Sequence, residues 1–374
     1  TALPPPAPLA PMASSPDLDR LRRETPGTAH GLHLNNAGAS LPPTPVLEAV
    51  QGHLQAELEM GGYEAEWARS QAIEEAYRSM EGLLRATPGS VAFVENATVA
   101  FSQALSSIPF RPGDVILATR HDYVSNQLMM LTLAERFGVR VVHAPDGPDG
   151  RVDTGAMIEL VHRLRPRLVT LTQVPTNSGI VQDAAPVAQA AREREIPFLL
   201  DACQSVGQMP VEPAALGATF VAGTSRKFLR GPRGMGFLWI DPEALEAGIL
   251  PLFPDLRGAD WIEADLLQPA PDARRFENWE FSWALALGMG AAARYAHEVG
   301  IEAVQERAWG LAGRLRDALA DFPGVRLLDP GYQPGEGAAH AASRPGDGSS
   351  TLPPLAAIVT LALEGWKAPA LVRA

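Results

Sequence analysis

The chain contains two lysines, and one of them, Lys227, stands in the stretch Gly223-Thr224-Ser225-Arg226-Lys227-Phe228, between an apolar run and the Gly/Pro loop 231–236. Just upstream, Ile196-Pro197-Phe198-Leu199-Leu200-Asp201 reads as a buried strand of a parallel sheet that ends in a carboxylate. Open α/β sheets bind ligands at that C-terminal edge. A second apolar run, residues 218–223, delivers Lys227 after it. Two neighbouring strands would then present an acid and an amine to one crevice. An acid that can face a pyridine nitrogen and an amine that can join an aldehyde form the pairing that pyridoxal phosphate chemistry needs.

Other candidates fall at the ends of further apolar runs. Val91-Ala92-Phe93-Val94 reads as a strand, and Glu95-Asn96-Ala97-Thr98 turns it into a helix whose fresh amides and Thr98 hydroxyl make an anion site. For Thr98 alone, a plain helix N-cap is the competing role. Strand 115–118 leads to Arg120-His121-Asp122-Tyr123, and strand 168–171 leads to Thr172-Gln173-Val174-Pro175-Thr176-Asn177-Ser178-Gly179. Leu32-His33-Leu34 reads as a brief strand breaking into the small-residue loop Asn35-Asn36-Ala37-Gly38-Ala39-Ser40, an ordinary Asn/Gly turn if taken by itself. Residues 45–60 carry Val46, Val50, Leu54 and Leu58 on one helical face. Gly61-Gly62-Tyr63 then ends the helix, as a plain turn or as a movable flap.

Asp201-Ala202-Cys203-Gln204-Ser205, Thr224-Ser225-Arg226-Lys227 and the ordered segments before them resemble the class V aminotransferase superfamily of fold-type I pyridoxal phosphate enzymes, over roughly residues 30 to 320. That group includes cysteine desulfurases, isopenicillin N epimerase and hercynylcysteine sulfoxide lyase. The resemblance implies an α/β fold, with a mostly parallel seven-stranded sheet covered by helices and a small C-terminal α+β domain. It implies a cofactor set of Ala97, Thr98, His121, Thr176, Asn177, Asp201, Gln204, Thr224, Arg226, Lys227 and Asn278. Lys227 and Asp201 carry the catalysis, helped by a ring-stacking residue that is either His121 or Tyr123. Asn36, Ala37, Gly38, Tyr63 and Arg233 are implied at the substrate. In relatives the loop matching residues 274–280 crosses a dimer interface, so a homodimer is expected. Many relatives carry histidine where Arg226 stands, and a threonine is more usual near Asn278.

The remaining features set bounds. At 374 residues and 46% hydrophobic, the chain can bury a large α/β core and a second, smaller one. Net charge is -12 with no basic block, which speaks against a nucleic-acid partner. A single cysteine leaves no internal disulfide and no cysteine-built metal centre, and no metal is expected. No apolar run reaches the roughly 18 residues of a membrane span, and the start lacks a signal-peptide pattern, so a cytoplasmic protein is expected. Residues 1–16 read as a flexible Pro/Ala-rich tail and 17–60 as an N-terminal segment against the cleft. The large domain is placed at 61–290 and the small one at 291–374, with a loop over 331–352 and a strand over 355–363. Relatives continue further and supply an arginine for the substrate carboxylate. Here the C-terminal domain reads as shortened, with Arg233 or Arg257 as substitutes and Arg373 close to the end.

These readings converge on a pyridoxal phosphate enzyme acting on an amino acid. A desulfurase needs a mobile cysteine to accept sulfur, whereas Cys203 lies next to the cofactor acid. A C–S β-lyase on an S-substituted cysteine or cysteine sulfoxide therefore ranks first, with Tyr63 or Tyr123 as the acid near the leaving group. An aminotransferase or epimerase ranks second, and a binding protein that has lost turnover third.

Overall fold

The computed structural model of the chain describes residues 16–343 and 354–368. Seven strands form the central sheet: β1 (Val91–Val94), β2 (Val115–Ala118), β3 (Arg140–His143), β4 (Leu168–Thr172), β5 (Phe198–Asp201), β6 (Phe220–Thr224) and β7 (Gly236–Ile240). Their spatial order is β1-β7-β6-β5-β4-β2-β3. The pairs from β6 to β3 are parallel, and β7 runs antiparallel to both β1 and β6. Every strand but β3 is buried along its whole length, which is why these segments read as continuous apolar runs.

The pleat splits the core in two. Phe93, Leu117, Val169, Phe198, Leu200, Val221, Phe237 and Trp239 face one layer, with Met80 from the helix Ser70–Leu83 and Met157 and Val161 from the helix Thr154–Leu164. The alternate residues Ala92, Val94, Ile116, Leu199, Phe220, Ala222 and Leu238 face the other. There they meet Phe101 and Leu105 of the helix Ala97–Ser106 and Met130 of the helix Val124–Phe137. Register then fixes the functional edge: Asp201 lies opposite Thr172 on one side and Ala222 on the other.

Beyond the sheet, β8 (Ala259–Glu263) and β9 (Leu266–Pro269) make an exposed hairpin that the sequence reading did not contain. The helices Trp283–Val299 and Ile301–Ala320 lead to an antiparallel pair, β10 (Val325–Leu327) and β11 (Leu361–Leu363). Three expectations are corrected here. Residues 32–34 form no strand: Leu32 and Leu34 are 86% and 73% exposed, and no ladder partner reaches them. The 331–352 loop contains the helix Gly337–Ala342, and its residues 344–352 lie outside the described residues. The 355–363 strand shrinks to β11, because the buried Arg316 guanidinium takes the carbonyls of Ala356 and Ile358 that a ladder would have used. No helix among the described residues is long and apolar enough to cross a membrane, and those residues hold no cluster fit for a metal ion.

Candidate active site

The C-terminal ends of β4, β5 and β6, together with the turn after β1, enclose a cavity of about 360 Å³. That is within the range of small-molecule and cofactor sites. Its lining includes Asp201, Lys227, Gln204, Thr224, Arg226 and Thr98. Lys227 and Asp201 are 5% and 4% exposed.

The loop that carries Lys227 is fixed by its own backbone. Ser225 donates its hydroxyl to the carbonyls of Pro232 and Met235, and Gly231 N–H donates to Ser225 O at 2.8 Å. Arg230 takes a left-handed φ of 64° and reaches back to Leu41 O and Thr25 Oγ1. On the Asp201 side, Gly207 has φ 95°, and a Cβ there would meet Leu229 N at 2.2 Å. Only glycine lets the two loops close on each other.

The phosphate-type pocket is built at the start of the helix Ala97–Ser106. The N-cap is Asn96, whose Oδ1 accepts from Val99 N at 3.1 Å, so the capping role considered for Thr98 is filled by its neighbour. Thr98 lines the cavity with Ala97. Gly236 underlies this turn; a Cβ there would press on Asn96 C at 2.6 Å and Ala97 N at 2.8 Å.

Asp201 is held from both oxygens: Oδ1 accepts from Cys203 N at 2.9 Å and Oδ2 from Asn126 Nδ2 at 2.8 Å. Gln204 donates through Nε2 to Ala37 O at 3.1 Å and to Thr176 Oγ1 at 3.0 Å, while its buried Oε1 has no partner among the described residues. Burial leaves such an oxygen costly unless a ligand supplies a donor. Burial also pushes the Cys203 thiol well above its ordinary value, and the Asp201 charge adds to this.

Several candidates from the sequence stand elsewhere. Tyr123 lines the cavity with its ring centroid 5.8 Å from Lys227 Nζ, whereas His121 is outside the lining, its Nε2 3.9 Å from Asp146 Oδ2. Thr176 lines the cavity; Asn177 is exposed, and its carbonyl accepts from Thr360 Oγ1. Asn36, Ala37 and Gly38 are also outside the lining, but the loop is pinned at its edge, with Gly38 O accepting from Arg226 and Ala37 O from Gln204. Tyr63 is 64% exposed and donates to Glu280 Oε1, and Asn278 donates to Glu95 Oε1 at 2.9 Å. Arg233 is exposed away from the lining. Arg257 is committed to the buried Glu277 at 2.6 Å and packs 4.6 Å from the Trp283 ring centroid. Arg373 lies outside the described residues.

Asn96, Asn126, Thr172 and Val174 line the cavity without having been singled out from the sequence. For Asn126 one signal existed: it stands one helical turn after Asp122, at the mouth of a helix that begins at the end of a strand.

Comparison with known proteins identifies the family. The profile of the family "Aminotransferase class-V" matches residues 32–340. A protein of Methanothermobacter thermautotrophicus named "Probable cysteine desulfurase" is 28% identical over 319 residues, covering 83% of this chain and 78% of its own. One of Mycobacterium tuberculosis named "Probable hercynylcysteine sulfoxide lyase" is 30% identical over 316 residues, covering 84% and 75%. Among solved structures, C-DES with glycine covalently linked to its pyridoxal phosphate superposes with a TM-score of 0.80 at 22% identity, covering 94% of this chain and 88% of that one. The unpartnered Gln204 oxygen, the helix N-terminus over Gly236 and the acid-amine pair fit that same cofactor. The chain belongs to the class V aminotransferase family, and its cofactor is pyridoxal phosphate.

Proposed function

We propose that the protein is a C–S β-lyase acting on an S-substituted cysteine or a cysteine sulfoxide. The observation that carries this reading is the state of the chain's single cysteine. Cys203 sits half-buried in the cavity wall with its amide donating to Asp201, and desolvation there pushes its thiol well above the ordinary value. It is not a mobile thiolate able to take sulfur from a substrate. No other cysteine stands in this sequence to accept sulfur, which supports elimination, a step that needs no acceptor. The hercynylcysteine sulfoxide lyase named among the relatives supports the same choice.

Pyridoxal phosphate supplies the electron sink conjugated to the amine-bearing carbon. Asp201, oriented by Asn126 and Cys203 N, holds a proton at the ring nitrogen. Ala97 and Thr98 would hold the phosphate at the helix N-terminus, with Thr224 and Arg226 beside them, and Gln204 would contact the ring hydroxyl. Lys227, which lines the cavity, would act as the base that removes the Cα proton. Tyr123, which lines the cavity near Lys227, would donate to the departing sulfur. With the Cα–H and Cβ–S bonds broken and water taken up, a thioether conjugate yields thiol, pyruvate and ammonium. The reading includes a homodimer with Asn278 near the shared face, supported by the exposed Phe253, Leu256 and Trp261.

The test is pyruvate formation from S-substituted cysteines, with no keto acid added. Pyruvate is expected from the wild type and none from Lys227→Ala, which also loses the visible absorption of lysine-bound cofactor. No pyruvate, with an added keto acid converted to its amino acid, would establish an aminotransferase instead.

A further inference from the structure

Behind Asp201 lies a second carboxylate, Asp122, and one amide joins the two. Asn126 is 2% exposed, and its Nδ2 donates to Asp201 Oδ2 at 2.8 Å and to Asp122 Oδ1 at 2.9 Å. A primary amide has two N–H groups, so each carboxylate receives one. Asp122 Oδ1 also accepts from Thr172 Oγ1 at 2.6 Å and Tyr123 N at 2.7 Å, and Oδ2 from Gln127 Nε2 at 2.9 Å. Every partner of Asp122 is a donor, an arrangement suited to an anion. Burial pushes its carboxyl up, and the Asp201 charge adds to this, while the donors from Thr172, Asn126 and Gln127 pull the other way.

Tyr123 and not Asp122 is the N-cap of this helix, so capping does not explain these contacts, and a half-buried acid with no task costs more than a neutral side chain. We propose that Asn126, set in place by Asp122, is the positioning residue for Asp201. It fixes the plane of the Asp201 carboxylate, and the Asp122 charge adds to the field that keeps a proton on the cofactor's ring nitrogen. The proposal rests on the reading of Asp201 as that nitrogen's partner.

The charged groups facing this space are Lys227 and Arg226 from the loop after β6 and Asp201 from β5. Gln127 links Asp122 outward to His143 Nε2 on β3 at 2.9 Å, and His121 is turned to Asp146. Asp122→Asn is a nearly pure charge deletion. Oδ1 keeps its three donors, and a flip of the Gln127 amide accommodates the new N–H₂ group.

The measurement is the pH titration of the visible absorption of the cofactor-loaded enzyme, compared across wild type, Asp122→Asn, Asn126→Ala and Asp201→Asn. A protonated ring nitrogen withdraws electrons from the lysine-bound nitrogen, so weakening the hold on that proton makes the second nitrogen more basic. The titration should move to higher pH by about one unit in Asp122→Asn. It should move in the same direction in Asn126→Ala and furthest in Asp201→Asn. In Asp122→Asn, kcat should fall about tenfold with KM little changed, while the apoprotein melts no lower than wild type at neutral pH. A shift in Asp201→Asn alone would overturn the positioning role and leave the Asp201 assignment standing. No shift even in Asp201→Asn would overturn both. Lost activity that follows a lowered melting temperature, with the titration unmoved, would reduce Asp122 and Asn126 to scaffolding and also overturn the proposal.

Discussion

Arg316 offers the sharpest test of how the chain's last described segment is tied to the site. Its guanidinium and the Asp329 carboxylate are 1% and 0% exposed, with Nε–Oδ2 at 2.9 Å. The same guanidinium donates to Ala356 O and Ile358 O, and Asp329 Oδ1 accepts from Gly179 N at 3.0 Å. Gly179 closes the loop that puts Thr176 on the cavity wall. Arg316→Met keeps the stem and removes the charge, leaving Asp329 buried with only weak compensation. Breaking a buried pair in this way costs about 3–5 kcal/mol. An unfolding entropy of about 2.1 cal/mol/K per residue gives the 374-residue chain roughly 0.8 kcal/mol/K, so a loss of about 4 kcal/mol lowers Tm by about 5 °C. If the segment from Ile301 onward melts as its own unit, the same loss spread over fewer residues displaces that transition further. Calorimetry on the apoprotein reads both cases. Adding Asp329→Asn removes the orphaned charge while keeping an acceptor for Gly179, and should recover more than half of the loss. A single variant within about 1 °C of wild type, or a second substitution that deepens the loss, would refute the reasoning.

Cys203→Ala should keep most of the lyase activity, and the wild-type thiol should alkylate slowly by mass spectrometry, still accelerating past about pH 9, because burial holds it protonated where an ordinary thiol is half ionised. Rapid alkylation at neutral pH, or a persulfide on Cys203 after incubation with cysteine, would return sulfur transfer to first place. Asp122 predicts a pH dependence of stability. Its folded value is raised above the unfolded one, so folding favours its protonated form; this contribution is full below about pH 4 and is lost as pH rises through the raised value. The stability of wild-type apoprotein relative to Asp122→Asn should therefore increase as pH falls from 7 to about 4, and a difference that stays flat or shrinks over that range would contradict that sign.

Much of the fold was legible because strands covered on both faces bury every residue, so 91–94, 115–118, 198–201 and 236–240 stand out as near-continuous apolar runs. The same signal misled over 355–363, where Leu355 and Ala356 are fully buried but Leu355 makes only an isolated bridge to Ile180, and the Arg316 guanidinium takes the Ala356 carbonyl. The hairpin of β8 and β9 gave the opposite problem. Its residues are mostly exposed, so no burial pattern marked it. The loop 32–40 owes its place to long-range contacts from Arg226, Gln204 and Ser40 N to Arg226 O, none of which leaves a local trace.

Within the site, what could be read was whatever a strand end delivers directly. Lys227 and Asp201 each follow an apolar run, and strand adjacency alone brings them to one edge. Which of His121 and Tyr123 lines the cavity turns on how the chain leaves β2. Tyr123 is the N-cap residue of the helix Val124–Phe137, so its backbone swings toward the cavity while His121 stays beside Asp146. Asn126 was hidden for a different reason: an asparagine in the first turn of a helix has a sufficient local explanation. Only the distances to Asp122 and Asp201 reveal that it joins two carboxylates. A polar residue with a plausible local task conceals a distant one, so the parts of this site that hold the acid in place are those that a single sequence reveals least.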